Sequence, residues 1–189
     1  MLREELSCSR AVCLDVGCGS GQAELLLGAA TRCLVGIDLS GSMLRKAKKR
    51  CPHSPFVRGD SLEMPFADGV FDVTFSFALM HHLRPKNRWR ALAEMARVTK
   101  MGGHVLTFEH NPLNPFTQHM VHKCSVDEGV KLIHPVEMIR LHKDTGLHIL
   151  KVRYLIFFPK FLSFLSRFEA PLRYIPTGGQ YGVLAKRIT

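Results

Sequence analysis

The chain has 189 residues, 46% hydrophobic and 22% charged, with a formal net charge of +10. That length and balance suit a single domain over residues 1–189, and no apolar run reaches the roughly 18 residues of a membrane span. The positive charge leaves nucleic acid, an anionic membrane surface or an acidic substrate as partners to be weighed.

Residues 1–10 carry two arginines and two glutamates and no apolar stretch. They do not read as a signal peptide, so the expected location is the cytoplasm. Cys8, Cys13, Cys18, Cys33, Cys51 and Cys124 show neither CxxC nor zinc-like spacing and read as reduced thiols, mostly small buried hydrophobes. Residues 11–16 form an expected buried strand. Leu14-Asp15-Val16-Gly17-Cys18-Gly19-Ser20-Gly21 follows, and a helix is expected over 22–30. A strand that turns through glycines into a helix start is an anion and nucleotide cradle.

Further on, strands are expected over 33–38, 55–59, 70–77, 104–109, 147–158 and 180–188. Helices are expected over 42–50, 116–123 and 135–145. Trp89, Leu92, Ala93 and Ala96 fall at helical spacing and predict the core face of another helix, with Met101-Gly102-Gly103 as its stop. Strands alternating with helices predict an α/β fold with a mostly parallel sheet. The basic run from Arg45 to Arg50 reads as a solvated helix face. Residues 160–175 carry an apolar stripe of Phe161, Leu162, Phe164, Leu165, Phe168 and Leu172. It reads as a helix on the sheet, or as a lid or a weak membrane-surface contact.

The glycine loop departs from the dinucleotide pattern, because Gln22 stands where a third small residue belongs. Asp15 inside the strand end repels a pyrophosphate and suits an ammonium, which S-adenosylmethionine carries without any phosphate. Asp38 ends the second strand about 20 residues on, where a carboxylate can accept from both ribose hydroxyls. Asp60 ends the third strand, where it can accept from an adenine amine while the Ser61 N–H donates to a ring nitrogen. In a doubly wound sheet these three strand ends line one crevice.

With these stretches in view, the chain resembles the class I S-adenosylmethionine-dependent methyltransferases of small-molecule type, similar to those of ubiquinone and menaquinone biosynthesis. The matching stretches are the glycine loop, Gly36-Ile37-Asp38-Leu39-Ser40, and Gly59-Asp60-Ser61-Leu62-Glu63-Met64-Pro65-Phe66. Phe71-Asp72-Val73-Thr74, Met80-His81-His82-Leu83, and Arg97-Val98 before Gly102-Gly103 complete the set.

The resemblance implies a Rossmann-like, doubly wound, seven-stranded sheet in the order 3-2-1-4-5-7-6 with strand 7 antiparallel. It implies transfer of a methyl group from S-adenosylmethionine to a small molecule, leaving S-adenosylhomocysteine. The cofactor residues it implies are Asp15, Gly17, Cys18, Gly19, Gly21, Asp38, Leu39, Asp60, Ser61 and Phe77. Family members carry a helical segment before the first strand, and here ten residues stand there, which makes a non-catalytic cofactor-binding subunit an alternative.

His81 and His82 follow the fourth strand and are the candidates for a base, against a packing or turn role. Glu109, His110 and Asn111 follow the fifth strand and are candidate substrate contacts. The acceptor is expected to be apolar or anionic. Methylation of nucleic acid is the runner-up, prompted by the charge. The (Asp/Asn)-Pro-Pro-(Tyr/Phe) motif of amino-methylating DNA enzymes is missing after strand four, where Phe77-Ala78-Leu79-Met80 stands.

Overall fold

The computed structural model describes residues 11–124, 129–156 and 172–188. The readings placed on residues 1–10 and on most of 160–175 fall outside them. Among the described residues no helix is long and apolar enough to cross a membrane.

The strands are β1 (Val12–Val16), β2 (Cys33–Asp38), β3 (Phe56–Arg58), β4 (Phe71–Phe77), β5 (Thr99–His110), β6 (Leu147–Leu155) and β7 (Gln180–Arg187). They form one seven-stranded sheet in the order β3-β2-β1-β4-β5-β7-β6. The first five pair in parallel, and β7 runs antiparallel between β5 and β6. This is the architecture the resemblance implied. The chain steps from β1 outward to β3, then returns to β4 beside β1. The carboxyl ends of β1 and β4 therefore part around a crevice, the usual ligand position in such sheets.

The helices are α1 (Gln22–Leu27), α2 (Gly41–Arg50), α3 (Pro85–Val98), α4 (Pro115–Lys123) and α5 (Pro135–Asp144). Alternate residues of β1 point to opposite faces. Leu14 and Val16 join a core with Leu92 and Met95 of α3 and Met138 of α5. Cys13 joins the other, with Ala23 and Leu27 of α1 and Phe75 of β4. The sheet is thus an apolar layer covered on both sides.

Two boundaries and one helix face differ from expectation for local reasons. The helix after the glycine loop stops at Leu27 and tightens into a 3₁₀ turn over Gly28–Ala30, since glycine weakens a helix at that point. The Met101-Gly102-Gly103 segment does not end α3 but lies inside β5, which starts at Thr99 and bulges against β4 between Phe71 and Val73. In α3 the buried stripe is Arg88, Ala91, Leu92, Met95, Ala96 and Val98, one residue round from the expected face. Trp89 is half exposed, and its indole N–H donates to the Asp144 carbonyl at 3.3 Å. An indole donor needs a polar partner, which the periphery supplies.

Candidate functional site

The glycine loop is held by the strand beside it. Gly17 N–H and Cys18 N–H both donate to the Ile37 carbonyl of β2, at 2.8 and 3.0 Å. Gly17 adopts φ +75°, and a Cβ there would meet Leu79 Cδ1 at 2.8 Å. Position 17 thus favours glycine for its left-handed backbone, and the missing side chain lets Leu79 of the turn after β4 pack close to the loop.

Asp38 fastens the same loop from the end of β2. Its Oδ2 accepts from Gly19 N–H and its Oδ1 from Ser40 N–H, each at 2.8 Å. Ser40 then caps α2 by accepting from Met43 N–H at 3.3 Å. Each Asp38 oxygen retains a further lone pair for a ligand hydroxyl. Leu39 beside it is exposed. Asp60 ends the following loop exposed, with Oδ1 accepting from Leu62 N–H at 2.9 Å, and Ser61 next to it is half-buried.

Beneath the loop lies a group of acids that the sequence only partly announced. Asp15 is 2% exposed and Glu24, in the first turn of α1, is 3% exposed. Asp15 sits opposite Gly36 across the parallel β1–β2 pair, so both positions face the same side of the sheet. A Cβ on Gly36 would lie 2.5 Å from Glu24 Oε1 and 2.8 Å from Cys18 Sγ. The carboxyl of Glu24 therefore fills the space over Gly36 that any other residue would take. Asp15 Oδ1 and both carboxyl oxygens of Glu24 are buried without a hydrogen-bond partner.

Burial, then the charges of Glu24 and Asp38, push the Asp15 carboxyl well above its ordinary range. Burial pushes Glu24 up to about 7, against a backbone N–H that favours its ionised form. Burial, then the charges of Asp15, Glu24 and Asp38, raise the Cys18 thiol too. Cys18 is an inert thiol here rather than a nucleophile.

The opposite wall is the turn after β4. Phe77 is 39% exposed and stacks on Phe108 with centroids 4.7 Å apart. Ala78 takes φ +53°, and its N–H donates to the Phe108 carbonyl at 2.8 Å. His81 Nδ1 lies 2.6 Å from Glu109 Oε2, with both side chains buried. Glu109 Oε1 accepts from Met80 N–H at 2.7 Å. His82 is exposed, its ring centroid 4.2 Å from that of His81, and the half-buried His110 ring stands 5.2 Å from His81.

Arg88, 2% exposed, ties this turn to its surroundings. Its Nε donates to the Met80 carbonyl at 3.1 Å, one terminal nitrogen to the Lys131 carbonyl at 2.6 Å, and the other to Glu137 Oε1 at 3.1 Å. A cavity of about 550 Å³ opens between this turn and residues 129–131, and His81, His82, Leu83, Arg84 and Lys131 line it.

The structure thus brings Asp15, Asp38, the glycine loop and the β4 turn together at one crevice. It commits two of the other sequence candidates to the fold. Glu109 is 1% exposed and engaged by His81 and Met80. Asn111 is fully buried, donating to the Pro176 and Gly178 carbonyls at 3.1 and 2.7 Å and accepting from Leu113 N–H at 3.0 Å. Both side chains are thus held by protein groups. Sequence reasoning missed Glu24 and Arg88. Both stand three or four residues from core positions of their helices, Leu27 for the one and Ala91 and Leu92 for the other, and that spacing was the available signal.

Residues 14–107 match the methyltransferase domain family. The demethylmenaquinone methyltransferase of Renibacterium salmoninarum is 42% identical over 106 residues, which are 54% of this chain and 44% of that protein. The 27-O-demethylrifamycin SV methyltransferase of Amycolatopsis mediterranei is 31% identical over 97 residues, 48% of this chain and 35% of that one. The chain therefore spans less than half the length of these relatives. A SAM-dependent methyltransferase structure from Archaeoglobus fulgidus superposes with a TM-score of 0.77 at 17% identity, covering 97% of this chain and 88% of that one.

The cofactor of this family is S-adenosylmethionine, and the residues present fit it. An unpartnered buried carboxyl stands under the loop for a cation, and Asp38 keeps lone pairs for hydroxyls.

Proposed function

Residues 14–107 belong to the methyltransferase domain family, and from that premise we propose that the chain transfers a methyl group from S-adenosylmethionine to a small, anionic acceptor. When bound, the cofactor supplies a methyl group already activated on a sulfonium. The protein's part is then mostly alignment, which can account for a large share of the barrier reduction.

Asp38 holds the ribose hydroxyls, and Asp60 with Ser61 N–H holds the adenine edge. Leu39 and Phe77 offer apolar surface to the ring and the thioether chain. Gly17, Cys18, Gly19 and Gly21 let the backbone approach, and Asp15 provides negative charge beneath the amino-acid end. His82, exposed at the cavity, is in place to take a proton from the acceptor's nucleophile. His81, shut against Glu109, positions the turn that presents His82.

The observation that carries this reading is the buried, unpartnered acid group beneath a glycine loop that Asp38 fastens; a cavity of about 550 Å³ opens beside His81 and His82, in the turn that follows β4. Arg84, Lys131 and His82 on that cavity favour an acceptor with a carboxylate, phosphate or phenolate. The names of the relatives favour small molecules over nucleic acid as the acceptor class. Calorimetry with S-adenosylmethionine tests the cradle, and a panel of anionic and neutral phenols and acids, read by S-adenosylhomocysteine formation, tests the transfer. Binding with no turnover on any acceptor in the panel would favour the non-catalytic subunit instead.

A further inference from the structure

We propose that Glu24 is a further member of the cofactor site, and that Asp15 and Glu24 hold a shared proton which the protein releases when a cationic ligand enters the glycine loop. This rests on the reading of the crevice as an S-adenosylmethionine site.

The geometry leaves the pair little alternative. Asp15 on β1 and Glu24 on α1 face one space over Gly36, both nearly sealed from water. Two carboxylates this close in an apolar setting cannot both be ionised without a large electrostatic cost, so one proton stays with the pair. The three oxygens have no side-chain donor, and the one backbone contribution, from Glu24's own N–H, falls outside hydrogen-bond geometry. The groups around them add no relief. Asp38 on β2 contributes negative charge, and Cys18 in the loop is a neutral thiol. Phe56 of β3 and Phe75 of β4 bring aromatic surface against Gly36 and Asp15. On the α2 side, Cys51 Sγ donates to the Gly21 carbonyl, and Arg50 is turned outward to Ser20 and Gln22. Among the described residues no salt bridge reaches Asp15, Glu24 or Asp38.

A ligand with an ammonium and a sulfonium brings the missing positive charge. The protonated carboxyl then ionises, its O–H bond breaks, and the proton passes to solvent. Nothing is oxidised or reduced. The charge of the complex is balanced by loss of a proton rather than by an added anion, so affinity rises with pH. Glu24 is the residue that makes this possible, because Asp15 alone would have only Asp38 as a like-charged neighbour.

Isothermal titration of the whole chain with S-adenosylmethionine at pH 7, in phosphate and in Tris, reads the proton directly. The wild type is expected to show a binding enthalpy that differs between the buffers by the heat of about one ionisation at most, and a Kd that tightens up to about tenfold per pH unit between pH 6 and 8. Glu24→Gln, which keeps the side-chain shape, is expected to bind with an enthalpy nearly independent of buffer and a flat pH profile. A wild type that binds with the same enthalpy in both buffers and a pH-independent Kd overturns the proposal, and that measurement needs no variant. Failure of the folded wild type to bind at any pH overturns the site assignment itself, and the proposal with it.

Discussion

Glu109 and His81 face each other at 2.6 Å, Oε2 to Nδ1, with both side chains closed to solvent. The pair joins the end of β5 to the turn after β4, and the second Glu109 oxygen holds Met80 N–H in the same turn. The bond requires the imidazole proton on Nδ1 when the carboxylate is ionised, which fixes the ring's orientation. Glu109→Ala is expected to cost about 3–5 kcal/mol, as when a buried partner is stripped from a pair. Urea denaturation checks it, and a loss below about 1 kcal/mol would show the pair to be dispensable.

His82 lies next to this pair but in solvent. His82→Ala is expected to leave the urea midpoint almost unchanged and cofactor affinity intact, while slowing methyl transfer about 10²-fold or more if it is the base. Equal turnover in the variant would remove it from the mechanism.

Asp38 has two duties, one visible in the protein and one assigned to the ligand. It holds Gly19 N–H and Ser40 N–H. Asp38→Ala should therefore weaken S-adenosylmethionine by more than tenfold in calorimetry and also lower stability, by about 1–3 kcal/mol for the donors left unbonded. An unchanged Kd would refute the ribose assignment.

Arg88 is a buried cation with three protein partners. Arg88→Ala should destabilise by about 3 kcal/mol or more, from lost hydrogen bonds and an unfilled space. The cavity bordered by Lys131 should also loosen, read as faster amide exchange in residues 129–133. Exchange identical to wild type would show that Arg88 does not hold this segment.

His142 and Glu24 predict opposite slopes of stability with pH. Burial lowers His142 from 6.5 to about 4, and its ring, 2.8 Å from the Met138 carbonyl, is neutral in the fold. The unfolded chain then binds the extra proton, so this group's contribution is present above pH 6.5 and is lost as pH falls toward about 4, by about 3 kcal/mol in all. Glu24 is raised from 4.5 to about 7, so its contribution is present below pH 4.5 and is lost as pH rises through about 7. Ligand-free Glu24→Gln should accordingly gain stability over wild type as pH climbs from 4.5 to 8, while His142→Gln should flatten the acid limb. Parallel curves for wild type and both variants would refute the two assignments.

Much of this protein is written locally. The apolar character of the strands over 11–16 and 70–77, the glycines at 17, 19 and 21, and carboxylates at or just past three strand ends need only neighbouring residues to be read. Strand patterning and turn chemistry act over a few residues and point to a mostly parallel α/β sheet; the strand order is legible only through the family resemblance. What a side chain faces inside that order is a long-range matter. The sequence shows Glu109 and Asn111 at the crevice edge, but only the packing of β4 and β7 on β5 turns one toward His81 and the other into the 176–178 loop. Likewise Trp89 and Arg88 differ by one position, about 100° of helix rotation, and the register of α3 on the sheet decides which is sealed in. Glu24 reads as one acid in an apolar helix until β2 is laid beside β1. Gly36 then makes room for its carboxyl on the face that Asp15 shares, and two acids from different elements become one titrating pair. The chain order determines which groups stand at the crevice; the low dielectric and close contacts made only by the folded sheet decide which of them are charged, which are satisfied, and which are left to meet a ligand.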